Sequence, residues 1–176
     1  MNPALANAVR RHSLGWLVAA NAAGALLAAM LLWPGLNDFL APLTYGRWMP
    51  LHLNWQLYGW CALPLVGALL AYFMRADASG LLAGRVGLAC WSLGLAFGGV
   101  SWLAGWTSGK IFLEWAGPAR LVWAFALFIL WLLLFVQVWP RRREFPPWAH
   151  VFLASLFAIP FVLWWSSDPR VYPAVD

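Results

Sequence analysis

Long apolar runs separated by short polar stretches dominate this chain. Five runs stand out, at residues 14–34, 49–73, 81–105, 117–139 and 147–166. Each has about the 20 residues that an α-helix needs to cross the hydrocarbon core of a bilayer. Helices satisfy their own backbone hydrogen bonds, as a lipid environment demands. The pattern therefore predicts an all-α integral membrane bundle of five transmembrane helices, and the short loops predict a single transmembrane domain over residues 1–176.

The composition supports lipid as the main solvent. The chain is 64% hydrophobic and only 10% charged, against about 25% charged residues in a soluble domain. Fifteen tryptophans suit the interfaces of a membrane. The net charge of +5 lies mostly in short loops, which leaves no basic face to follow a phosphate backbone. Lipid is therefore an expected partner, and nucleic acid is not. Cys61 and Cys90 fall inside apolar runs and are predicted to be unpaired core residues.

The basic residues predict how the helices are oriented. Basic side chains concentrate in cytoplasmic loops. Seven would share one side of the membrane with the N-terminus: Arg10, Arg11, Arg75, Arg85, Arg141, Arg142 and Arg143. Four would lie on the other side: Arg47, Lys110, Arg120 and Arg170. The excess predicts an N-terminus inside, with the polar segment 166–176 outside.

Small residues and prolines predict how the helices pack. Gly94 and Gly98 in the third helix have GxxxG spacing, which lets helix backbones approach closely in lipid. Pro64 and Pro160 lie inside the second and fifth helices. Each removes one helical hydrogen bond and is expected to kink its helix.

Several polar side chains stand near or within the apolar runs. Asn21 and Gln56 would lie within the membrane, where such groups usually bridge helices. Lys110 and Glu114 are four residues apart at the predicted start of the fourth helix, which favours an ion pair at the interface.

The three histidines are expected at different depths. His12 and His150 lie beside basic segments and are predicted to be interfacial and solvated, whereas His52 lies about one turn inside the second helix. The predicted orientation places His52 near the outer surface and the other two near the inner surface. Two imidazoles on one metal ion must lie about 4 Å apart, and the hydrocarbon core is about 30 Å thick. If His52 binds a metal, the facing ligand is therefore expected from another chain.

The neighbours of His52 would suit a flat ligand such as haem. Trp55 and Gln56 follow at i+3 and i+4, and Gly59 at i+7 would leave space for the edge of a macrocycle. Trp48 and Trp55 could pack on the macrocycle, and Arg47 could hold a propionate. The competing interpretation is an interfacial histidine that is hydrogen-bonded to a neighbouring helix.

The run YGRWMPLHLNWQLYGW, residues 45–60, resembles the second helix of subunit I of haem–copper oxidases. The C-type (cbb-type) branch and its nitric oxide reductase relatives show a similar G-R-x-x-P-L-H-x-N run, matched here by Gly46, Arg47, Pro50, Leu51, His52 and Asn54. The motif covers about ten residues, and the five-helix layout extends the resemblance loosely over the chain. The resemblance implies that His52 is an axial ligand of the iron of a low-spin haem b near the outer face, with Arg47 near the propionates.

The resemblance is to the N-terminal portion of that subunit. In the family, the other haem ligands and the copper ligands lie in helices beyond the fifth, so copper and the high-spin haem are expected only in a partner chain. The sequence thus predicts a multi-pass subunit of a respiratory complex in the bacterial inner (cytoplasmic) membrane, not catalytic alone. Its implied partners are other membrane subunits and a cytochrome c-like electron donor. The alternative is a haem-free structural or accessory subunit of a multi-chain membrane complex.

Overall fold

The computed structural model describes residues 2–171, which are almost entirely helical. The α-helices are α1 (Pro3–Leu32), α2 (Gly35–Leu40), α3 (Tyr45–Asn54), α4 (Ala62–Phe73), α5 (Ala78–Leu103), α6 (Pro118–Val138) and α7 (Pro147–Ser166). A π-helical segment, Trp55–Cys61, joins α3 to α4, and a 3₁₀ segment, Trp139–Glu144, extends α6. We call the continuous helix Tyr45–Phe73 the second span.

Five of these helical stretches are long and apolar enough to cross a membrane. They are Pro3–Leu32, Tyr45–Phe73, Ala78–Leu103, Pro118–Glu144 and Pro147–Ser166. The predicted fold class of five transmembrane helices is confirmed, and the chain is a multi-pass membrane protein. The inside location of the N-terminus stays a prediction. Of the predicted polar segment 166–176, the last five residues lie outside the described ones.

The first two spans begin earlier than the apolar runs indicated. The side chain of Asn2 accepts a hydrogen bond from the backbone N–H of Ala4 at 2.9 Å, and Pro3 occupies the first turn of α1. Both features favour a helix start, so α1 begins eleven residues before the apolar run at residue 14. The second span begins at Tyr45 and not at residue 49. His52 therefore lies two turns inside its helix.

The second span is not a regular α-helix throughout. The predicted distortion near Pro64 takes the form of the π-helical segment Trp55–Cys61, which ends three residues before that proline. Pro64 has no N–H to donate to the carbonyl of Trp60, and its ring crowds that carbonyl in an α-helix. A π-helix closes i→i+5 hydrogen bonds, so α-helical spacing is interrupted over Trp55–Cys61. In contrast, α7 remains helical through Pro160.

The core of the bundle lies between α1, the second span, α5 and α6. Helix α1 packs against the second span and α5, α5 packs against α6, and α7 packs chiefly on α6. Leu63, Leu95, Trp102 and Trp123 are almost completely buried there. Large apolar side chains also cover the outside, as lipid requires.

The glycines of α5 receive tryptophan rings. A Cβ atom at Gly94 would lie 2.8 Å from the ring of Trp123, and one at Gly98 would lie 2.7 Å from the ring of Trp115. The close approach predicted for this GxxxG pair therefore occurs between the backbone of α5 and indole rings, and not between two helix backbones.

The two cysteines are free, as predicted, but Cys61 is exposed and Cys90 only half-buried. The predicted core position is wrong for Cys61, which is the last residue of the π-helical segment and faces out of the bundle, whereas Cys90 packs against the core.

Candidate functional site

The imidazole of His52 is held against the backbone of α1. Its Nδ1 lies 2.7 Å from the carbonyl oxygen of Ala20. A carbonyl oxygen only accepts, so Nδ1 carries a proton and donates it, which leaves Nε2 of the neutral ring with a free lone pair. Over residues 2–171, Nε2 has no hydrogen-bond partner, and the ring is half-buried. A histidine whose Nδ1–H is bound to a carbonyl is in the tautomer that ligates metals through Nε2.

Gly24 makes this contact possible. A Cβ atom at Gly24 would lie 2.6 Å from Cε1 and 3.0 Å from Nδ1 of His52. Any side chain there would push the imidazole away from Ala20. The motif search around His52 missed Gly24 because this glycine lies 28 residues earlier in the chain. The available signal was the small residues of the first helix, where Ala20 and Gly24 are four apart and share a face.

Arg47 is anchored at the end of α5. Its Nη1 donates to the carbonyl oxygen of Leu103 at 2.8 Å, and Gly105 lies against the guanidinium group. Helix ends expose unsatisfied carbonyls with partial negative charge, so the cation stabilises the last turn of α5. Arg47 and His52 are five residues apart and point about 140° apart around α3. Arg47, the residue predicted to hold a propionate, therefore contacts α5, whereas His52 contacts α1.

Gln56 and Asn21 bridge the first two spans, as predicted. Gln56 Nε2 donates to Asn21 Oδ1 at 3.1 Å, and Asn21 Nδ2 donates to the carbonyl of Leu17 at 2.9 Å. Gln56 lies one turn after His52 along the second span, so the bridge and the contact of His52 with Ala20 hold successive turns of that span. The two contacts together fix the rotation of the second span against α1.

The predicted aromatic and glycine neighbours of His52 serve helix packing. Trp55 Nε1 donates to the carbonyl of Leu95 in α5 at 3.0 Å. The space expected beside Gly59 is filled by Trp16. A Cβ atom added at Gly59 would lie only 2.6 Å from the Cβ atom of Trp16. Trp48 is half-buried, and its Nε1 has no hydrogen-bond partner among the described residues. The space expected at Gly59 is absent because α1, which also contacts His52, places Trp16 against this glycine.

A carboxylate organises the loop of residues 104–117, between α5 and α6. Glu114 is 2% exposed and accepts hydrogen bonds from the backbone N–H groups of Gly109 at 2.7 Å and Lys110 at 2.9 Å. It also accepts from the N–H and hydroxyl groups of Ser108. The loop is not helical, so the i, i+4 spacing that predicted an ion pair between Lys110 and Glu114 does not apply. Lys110 Nζ donates to the carbonyl of Ser166 at 2.8 Å and to the carbonyl of Asp168.

The same loop encloses a small cavity beside α3. The cavity has a volume of about 160 Å³ and is lined by Met49, Asn54, Lys110 and Glu114 among others. Asn54 is completely buried; its Nδ2 donates to the carbonyl of Pro50, and its Oδ1 has no hydrogen-bond partner in residues 2–171. The loop thus lies over the same turns of the second span that carry Arg47 and His52.

Asp168 and Arg120 join α6 to the chain after α7. Arg120 Nη1 lies 3.1 Å from Asp168 Oδ2, and Arg120 Nε donates to the carbonyl of Trp164 at 2.8 Å. The backbone N–H of Arg170, followed by the guanidinium groups of Arg170 and Arg120, lowers the pKa of Asp168 to about 2. The carboxylate is therefore charged throughout the physiological range.

The other two histidines lie apart from His52. His12 Nδ1 is 2.6 Å from the hydroxyl oxygen of Ser92 and the ring is half-buried, so the predicted solvated position is wrong for His12. It makes this contact because α5 packs beside it. His150 is exposed, and its Nδ1 is 3.2 Å from the carbonyl of Pro146 in its own helix. Residues 2–171 contain no cluster of three or more His, Cys, Asp or Glu side chains that could hold a metal ion.

Comparison with known proteins identifies two similar sequences. The chain is 28% identical over 154 residues to a cytochrome c oxidase subunit 1 homolog, bacteroid, of Bradyrhizobium diazoefficiens; the match covers 84% of this chain and 27% of that protein. It is 27% identical over 154 residues to a cytochrome c oxidase subunit 1 homolog of Azorhizobium caulinodans, covering 84% of this chain and 26% of the relative. No family profile and no solved structure matches the chain.

The chain spans about a quarter of the length of these two relatives. The similarity nevertheless extends over most of the chain and is not confined to the ten-residue motif around His52. The resemblance inferred from that motif is confirmed at this level. Five membrane spans and these two relatives support a cytochrome c oxidase subunit I-like family for this protein.

Proposed function

We propose that the chain is a membrane subunit of a respiratory haem–copper oxidase-like complex, in which His52 supplies one axial ligand of a low-spin haem b. The observation that carries this proposal is the hydrogen bond from His52 Nδ1 to the carbonyl of Ala20. In the neutral ring this bond selects the tautomer with its lone pair on Nε2, and it restricts rotation of the ring, as a metal-ligating histidine requires. The similarity to cytochrome c oxidase subunit 1 homologs supports the same assignment.

The residues around His52 fit such a group in part. The half-buried imidazole offers a lone pair, and Arg47 uses Nη1 in its one hydrogen bond within residues 2–171. Its remaining guanidinium donors could hold a propionate. Trp55 and Gly59 do not fit the wall predicted for them, because Leu95 and Trp16 already contact them. We therefore assign ligation to His52 and propionate binding to Arg47, and leave Trp55 and Gly59 a packing role.

The facing axial ligand is assigned to a partner chain. Ala20, which holds His52, is eight residues from His12 and so about 12 Å away along α1. His150 is bound within its own helix α7. We likewise assign copper and the high-spin haem to a partner membrane subunit.

When bound, the haem would supply a reversible one-electron redox centre. The part of this chain is to hold the ring of His52 in one tautomer and one rotation through Ala20, Gly24 and the Gln56–Asn21 bridge. With the N-terminus inside the bacterial inner membrane, His52 would lie toward the outer face, within reach of a cytochrome c-like donor.

A haem-free structural subunit is the second candidate. The observation in its favour is that Trp55 and Gly59, two of the predicted haem neighbours, are used in packing between spans. In that case the hydrogen bond from His52 to Ala20 only fastens the second span to α1.

The test is a spectrum of the complex purified through an affinity tag on this chain. We expect a low-spin haem b signal in the reduced-minus-oxidised spectrum, confirmed as haem b by the pyridine haemochrome assay. His52→Gly should remove that signal, and added imidazole should restore part of it. His150→Ala, which removes an exposed histidine, should leave the signal unchanged.

Two outcomes would contradict the proposal. A wild-type complex without haem b would favour the structural subunit. A full haem b signal in His52→Gly, with the same co-purifying chains as wild type, would assign the axial ligand to another residue. Equal amounts of co-purifying chains also show that a lost signal is not a failure of assembly.

A further inference from the structure

Two adjoining cavities open between the N-terminal halves of α1 and α5. The first has a volume of about 420 Å³ and is lined by Asn7, Arg11, His12 and Arg85 among others. The second has a volume of about 460 Å³ and is lined by Arg11, His12, Gly15, Trp16, Ala19 and Ser92. Because Arg11 and His12 line both, the two cavities form one groove with a basic part and an apolar part.

The basic part of the groove lacks an anionic partner. Arg11 and Arg85 are both exposed, and neither forms an ion pair or a hydrogen bond within residues 2–171. No carboxylate among the described residues lines either cavity. The Asn7 side-chain oxygen is taken by Arg10 Nη2 at 2.7 Å. Two guanidinium groups that share a cavity in this way are suited to bind a phosphate group.

The register of the two helices sets the depth of each arginine. Leu5 of α1 packs against Gly84 of α5, and His12 Nδ1 contacts the Ser92 hydroxyl at 2.6 Å, so the helices run parallel. Arg85 is therefore level with the first turns of α1, and Arg11 lies about 8 Å deeper. This spacing suits the polar end of a lipid, because an arginine side chain can extend to the interface.

The apolar part continues the groove into the membrane span. From Arg11 to Ala19 it extends about 12 Å along α1. No heavy atom of residues 2–171 lies within 4 Å of where a Cβ of Gly15 would be, so this stretch is open to the outside. A free phosphate ion would use only the basic end of such a groove, whereas a phospholipid would use its whole length.

We propose that this groove binds one anionic phospholipid. The phosphate group lies between Arg11 and Arg85, and an acyl chain follows Gly15 and Ala19 beside Trp16. The charge of the basic end selects an anionic headgroup over a zwitterionic one, since each arginine near the surface contributes attraction to anionic lipid. The site is separate from the proposed role of His52 and does not depend on it.

The test is native mass spectrometry of the full chain in detergent, with added dioleoylphosphatidylglycerol or dioleoylphosphatidylcholine as the probe. We expect one tightly retained phosphatidylglycerol and no such retention of phosphatidylcholine. Arg11→Gln/Arg85→Gln should weaken retention by about fivefold for each arginine removed. Arg142→Gln/Arg143→Gln removes the same two charges at the same end of the bundle, and it should retain the lipid as wild type does.

Gly15→Phe tests the apolar part independently. Because the position is open, the variant should fold, and the added ring should block the acyl chain and lower retention of phosphatidylglycerol. Millimolar inorganic phosphate should compete only weakly, since it lacks the chain. Equal losses in the two double-arginine variants would show a diffuse surface charge and overturn the site. Full retention of phosphatidylglycerol in both Gly15→Phe and Arg11→Gln/Arg85→Gln would also overturn the site. Complete displacement of the lipid by inorganic phosphate would do the same.

Discussion

Two sets of basic residues at opposite ends of the bundle are used in different ways. At the end where α5 and α7 finish, Arg47, Lys110 and Arg120 donate to the carbonyls of Leu103, Ser166 and Trp164. At the end where α1 and α5 begin, Arg11 and Arg85 are exposed and lack hydrogen-bond partners among the described residues. The first set satisfies carbonyls that helix ends leave unpaired, and the second remains available to solvent and lipid.

The difference shows that a count of basic residues does not assign a role to each. The positive-inside rule treats all eleven as equal contributions to topology. We call the end where α5 and α7 finish the structured end. There Arg47 joins α3 to α5, Lys110 joins the loop of residues 104–117 to α7, and Arg120 joins α6 to α7. That loop lies over the turns of α3 that carry Arg47 and His52. The following predictions test this contrast, from the largest expected effect to the smallest.

Removal of the Glu114 carboxylate should damage the structured end most. Glu114→Ala leaves the N–H groups of Ser108, Gly109 and Lys110 without their acceptor; the bond from Lys110 is buried and the other two are partly buried. We expect a loss of about 3 kcal/mol in the free energy of unfolding, since each unpaired buried donor is costly. Thermal unfolding in detergent measures it, and Glu144→Ala, an exposed glutamate at the opposite end, is the control. A similar loss in both variants would contradict the role of Glu114.

Addition of a methyl group at Gly24 should disturb the contact between α1 and His52. The new Cβ would lie 2.6 Å from Cε1 of the imidazole, and overpacking of this kind costs about 1–3 kcal/mol. Gly15→Ala is the matched control, since Gly15 has open space around it and alanine favours a helix by up to ~1 kcal/mol. Thermal unfolding should therefore show opposite signs. The same sign in both variants would mean that His52 moves aside freely.

The sequence predicted the spans well and the environment of His52 only partly. Apolar run length was sufficient to find five helices, because lipid permits few other structures. The motif placed His52 and Arg47 on one short helix, but not the partners that hold them. Gly24 and Leu103 lie far away in the chain, and the register that brings them close depends on tertiary packing. Likewise, Trp16 fills the space expected beside Gly59, and it lies in α1, outside the stretch around His52 from which that space was predicted.

Acid should weaken the junction between Arg120 and Asp168. The folded-state pKa of Asp168 is lowered from 3.8 to about 2, so its ionised form stabilises the fold fully above about pH 4. This stability is lost as the pH falls through 2. We expect wild type to unfold at a higher temperature than Asp168→Asn at pH 6, with the difference shrinking toward pH 2. Asp38→Asn changes an exposed aspartate outside this cluster and should unfold at the same temperature as wild type. If Asp168→Asn still unfolded at a lower temperature than wild type at pH 2, the ionised carboxylate would be excluded as the cause.

The ion pair between Arg75 and Asp77 should contribute least. Its atoms are 2.6 Å apart, but the two side chains are 48% and 44% exposed. Exposed pairs of this kind add little to stability because water and salt screen them. Arg75→Gln should therefore leave the unfolding temperature within experimental error, whereas Arg120→Gln at the structured end should lower it. Asp77 keeps its cap on the N–H of Gly80 at 3.0 Å, so the start of α5 is preserved in the variant. A loss in Arg75→Gln as large as in Arg120→Gln would mean that cations stabilise both ends of the bundle alike.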